Sequence, residues 1–87
     1  MHEASLMKGL MRQIEAVAEA EGAVRVVAVS VWLGALCHMS PSHLEQHFRE
    51  ASKGARAEGA RIDAVVSDDP GHEHALDVML QSVEVEV

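Results

Sequence analysis

Met1, His2 and Glu3 place an amine, two backbone amides, an imidazole and a carboxylate within one reach. That N/O donor set suits a late first-row divalent ion with a square-planar or tetragonal preference, such as nickel or copper. With Met1 as the start and no leader before it, the amine is expected to be available. Its ordinary pKa of about 8 lets a competing metal displace the proton. A Met-His-Glu opening is also common as an ordinary frayed terminus, so its meaning depends on the remainder of the chain.

Other donor residues have two readings each. His43 and His47 stand at i, i+4 in a helical segment, the spacing that puts two imidazoles on one face. They would need a third ligand, His38 or Glu50, and otherwise read as a solvated helix face. His72-Glu73-His74 follows a tight turn; it is either a two-imidazole clip or a polar hairpin tip. Cys37-His38 has the residue types of a nucleophile and its base, but no third orienting group accompanies it. No Gly-rich phosphate loop is present, and no enzyme is expected.

The elements that must carry these groups follow from periodicity. Ser5 to Glu21 reads as an amphipathic helix with Met7, Leu10, Met11, Ile14, Val17 and Ala18 on one face, and Gly22 as its stop. Val24 to Leu33 reads as a strand in which Val29, Val31 and Leu33 alternate with Ser30 and Trp32. Trp32 then faces away from the valines, so either that face is covered or, the favoured reading, the indole is an exposed anchor for a partner. Ser40 and Pro41 open a second helix to about Ser52, with Leu44, Phe48 and Ala51 as its buried stripe. A strand over 60–66, a turn over 67–71 and a last strand through Val83, Val85 and Val87 complete the order. A further short strand at His2-Glu3 would make a fourth. The expected fold class is α+β, two helices packed on a small mixed sheet of three or four strands in a single domain.

Composition excludes more than it identifies. The chain has 87 residues and a formal charge of −7, which argues against nucleic acid as a partner. No apolar run approaches the roughly 18 residues of a membrane span, and no secretory signal opens the chain. The lone cysteine, Cys37, fits a reducing cytoplasm. Aromatic residues make up only 2%, so the core must rest on aliphatic and Met side chains, and dimerisation or another partner would add stability.

Several signatures fall in one order: Met1 to Leu6, Gly34-Ala35-Leu36 after a strand, and Pro41 heading a helix with Leu44 and Phe48. Ser52-Lys53-Gly54, then Ala57 to Ala60 leading into a strand, and the tail Val83 to Val87 continue it. This ordered set resembles the HypA/HybF family of hydrogenase nickel-incorporation proteins, over residues 1–66 and about the last eight. The resemblance implies a nickel metallochaperone that acts with a nickel-handling GTPase accessory protein to load a hydrogenase large subunit, or urease in some organisms. It implies nickel(II), transferred rather than retained, held by the Met1 amine, the His2 imidazole and amide, and Glu3. Many relatives carry an acidic residue where this chain has Ser40, and His38 is the candidate replacement donor. The family's zinc ribbon, with two Cys-x-x-C pairs, is expected between the last two strands. Here residues 67–80 form a short segment without cysteine, so a structural zinc is not expected. The alternative is a metal-independent interaction module of the same fold, docking a hydrogenase-related partner through Trp32 and the sheet edge.

Overall fold

The computed structural model describes the backbone of residues 2–87 and the side chains of residues 4–87. The chain runs α1 (His2–Ala20), β1 (Arg25–Leu33), α2 (Pro41–Ala51), β2 (Arg61–Val66) and β3 (Val78–Glu86). These form the expected α+β domain, with a three-stranded mixed sheet in the order β2-β1-β3. The fourth strand expected at His2-Glu3 does not form, because both residues begin α1.

α1 buries Met7, Leu10, Ile14 and Ala18 against the sheet. Val17, expected on that face, lies at the stripe's margin and is 38% exposed. The helix ends in a Schellman pattern. Gly22 takes φ 66°, its N–H reaches Glu19 O, and the Ala23 N–H reaches Ala18 O at 2.9 Å.

β1 is the central strand and supplies Val26, Val29, Val31 and Leu33 to the core. β2 pairs parallel with it and β3 antiparallel. Pairing slips between Ser30 and Val31, leaving Gln81 as an extra residue in β3. Val78 and Leu80 therefore share the core side with Val83 and Val85, although their spacing breaks strict alternation.

α2 starts as its sequence dictates. The Ser40 hydroxyl accepts from the His43 N–H at 3.2 Å, and Pro41 takes the first helical position. Ser40→Ala should lower stability by about 1 kcal/mol in a urea titration. Unchanged stability would mean that water caps the helix equally well. Leu44, Phe48 and Ser52 form the buried stripe, whereas Ala51 is exposed and lines a groove against α1.

Candidate metal centre

The topology gathers the histidines at one end. β1 runs back along α1, so the β1–α2 loop, the start of α2 and the β2–β3 connection all lie near the first turns of α1. Ala4 and His47 line one groove between the helices, and Ser5 and Leu6 share a cleft with Val78. The far end of the helix pair is fixed by Arg56, whose Nη1 sits 2.8 Å from Glu15 Oε1. Its alignment makes this an ion pair and not a directed hydrogen bond. Partly exposed, it contributes at most about 1 kcal/mol.

The donor groups of Met1-His2-Glu3 lie outside the described residues: Met1 altogether, His2 and Glu3 as side chains. Their backbone context is informative. An α-helix leaves its first four N–H groups without intrahelical acceptors. The amides of His2 and Glu3 therefore need not break helical bonds to meet a metal.

His38 is exposed in the β1–α2 loop with φ 61°, a left-handed conformation in which histidine is enriched. The turn closes by Cys37 N–H to Gly34 O at 3.1 Å, and the reversal puts Met39 into the core with His38 outside. Cys37 is half-buried, and its thiol donates to Met39 O at 3.6 Å rather than to the neighbouring imidazole.

His72 and His74 are already engaged. The His74 N–H donates to His72 Nδ1 at 3.0 Å, and His74 Nδ1 lies 2.8 Å from Asp77 Oδ2. The His72 ring also packs at 5.0 Å from Trp32, which is half-buried and not the open anchor expected of it. Among the described residues, no three His, Cys, Asp or Glu side chains converge as a ligand set. Among the described residues, the clear pKa change is remote from these histidines. Arg61 is raised by its hydrogen bond to Asp63 and then by that carboxylate's charge.

The connection over 67–77 is tied down by main-chain bonds that the sequence did not reveal. Gly34 N–H donates to Asp77 O at 2.9 Å and Leu36 N–H to Ala75 O at 2.7 Å. Gly34 is buried, and its lack of a side chain admits the backbone of His74 and Ala75.

The family model for hydrogenase/urease nickel incorporation, the metallochaperone HypA, matches residues 1–70. The chain belongs to the HypA family. HypA from Acidithiobacillus ferrooxidans, a hydrogenase maturation factor, is 34% identical over 65 residues, 75% of this chain and 58% of that protein. The chain thus spans a little over half the length of that HypA. The Rhodobacter capsulatus HypA is 33% identical over 86 residues, covering 99% of this chain and 74% of that one. The solution structure of the Ni metallochaperone HypA from Helicobacter pylori has the same fold. Its TM-score is 0.76 at 17% identity, over 94% of this chain and 95% of that chain.

Proposed function

We propose that this chain binds nickel(II) at its amino-terminal end and passes it on during maturation of a nickel enzyme, [NiFe]-hydrogenase foremost. It acts as a metallochaperone and not as an enzyme. The observation that carries this reading is the nickel-incorporation family match, which includes Met1-His2-Glu3. The Met1 amine, the His2 imidazole and amide, and Glu3 are the ligands, with His38 as an added donor. Binding through the amides displaces their protons, and the positive end of the α1 dipole favours the negative charge left behind.

The loaded domain is the nickel-handling part. The 67–77 connection has no cysteine and stands where the resemblance places a zinc ribbon. Cys37 by itself cannot build a structural zinc site. Delivery is to a hydrogenase large subunit or a nickel-handling GTPase, in the cytoplasm; a homodimer is compatible with the small aliphatic core. No helix of the described residues is long and apolar enough to cross a membrane.

Nickel titration followed by calorimetry and absorbance should give about one tight site per chain. No binding tighter than that of a generic histidine-containing peptide would support the metal-independent interaction module instead. Affinity should weaken as pH falls from about 8, where the amine begins to hold its proton, and more steeply below about 6.5, where the imidazole does too. A flat response between about pH 8 and 5.5 would rule out this donor set.

A further inference from the structure

His43 and His47 lie one helical turn apart on α2, with ring centroids 6.0 Å apart and planes inclined at 57°. An imidazole nitrogen holds a late first-row ion at about 2.1 Å, so two rings sharing one ion have centres roughly 4.5 Å apart at a right angle and roughly 6.4 Å in line. The observed spacing falls inside that window. Among the described residues, neither ring nitrogen of either histidine is hydrogen-bonded, in contrast to the committed Nδ1 atoms of His72 and His74. His43 is exposed and His47 half-buried, so an ion can reach the pair from solvent.

Position adds to this. His47 lines the same groove as Ala4, two residues along α1 from His2. Glu50 lines it one turn further along α2, and among the described residues its carboxylate pairs with the exposed Lys53 at 3.1 Å. Such a surface pair contributes little and yields readily to a cation.

We propose that His43 and His47 form a second site for a divalent first-row ion on α2, beside the end of α1 where the terminal triplet begins. This deepens the nickel-handling reading and rests on it. Two imidazoles leave the remaining coordination positions to water, so the ion is held weakly and exchanges freely. A weaker port beside a tighter chelate gives nickel a place to enter or leave without crossing the molecule.

The test is a nickel chloride titration by calorimetry on the full chain, with His43→Ala, His47→Ala and the double substitution, each made with and without His2→Ala. The unsubstituted chain should show one tight and one weaker site. Either α2 substitution should weaken the second site about tenfold or more and leave the first unchanged. His2→Ala should retain only the weaker site. In NMR spectra of ring-labelled histidine, paramagnetic broadening in the His2→Ala chain should reach His43 and His47 before His72 and His74. Far-UV circular dichroism, with His43→Gln and His47→Gln as conservative variants, separates ligand loss from helix loss.

A His2→Ala chain that binds no nickel overturns the second site and leaves the terminal site standing. A weaker site untouched by the double substitution, or broadening that begins at His72 and His74, also overturns it. A site lost only through His43 and His47, with no contribution from His2, retains the α2 pair and overturns the terminal assignment.

Discussion

Replacing His2 by alanine is expected to weaken the tight nickel site by about a hundredfold or more. The imidazole is a neutral nitrogen donor at neutral pH, and neither the Glu3 carboxylate nor water replaces it in a tetragonal field. The fold should not notice the change. His2 is the first residue of α1, and the helix begins to bury apolar surface at Leu6 and Met7. Stability should stay within about 0.5 kcal/mol in urea, so lost binding cannot be attributed to unfolding. Extending the chain by two residues before Met1 should have the same effect, since it removes the amine from the chelate. Equal affinity in both altered chains would move the tight site away from the terminus.

Gly34→Ala is expected to cost about 3 kcal/mol. A domain of this size has a total stability of roughly 4 to 13 kcal/mol, so the loss would be a large fraction of it. A methyl group at position 34 would overlap the main-chain atoms of Ala75 and His74. Backbone cannot rotate aside as a long side chain can. Relief requires lifting the 72–77 segment, which would strain the Gly34–Asp77 and Leu36–Ala75 hydrogen bonds. Urea unfolding gives the energy. Trp32 fluorescence gives the local view, because the His72 ring packs 5.0 Å from the indole and would move with the segment. A cost below about 1 kcal/mol would show that the connection shifts easily.

The helices and the central strand were legible because their signals are local. The α1 stripe, the Ser40-Pro41 start and the Val29–Leu33 alternation each follow from a few adjacent residues. Boundaries were less legible where backbone partners decide them. α1 reaches back to His2, beyond the apolar pattern, because a first turn needs no acceptor within its own helix. β3 begins at Val78, well before the Val83–Val87 alternation, because the extra residue at Gln81 shifts the phase. Ser52 takes the buried place expected of Ala51 because α2 meets both α1 and the sheet, and sequence spacing does not say how that contact is shared. The donor types in the candidate site were all readable. Their arrangement was not: which of the described histidines are tied, and that the segments carrying them lie toward one end, depends on pairing between distant strands.

The register at Leu33 carries a consequence for how this architecture varies. Val66 at the end of β2 and Val78 at the start of β3 both align with that residue, on opposite sides of it. The chain thus departs from the sheet and rejoins it across two strand spacings, roughly 9.6 Å. Any segment that spans this joint must have ends that close to that gap if the strand pairs are to stay in register. The joint fixes the span that a connection must close, and in this chain Gly34 and Leu36 hold the returning segment in place through their bonds to Asp77 and Ala75.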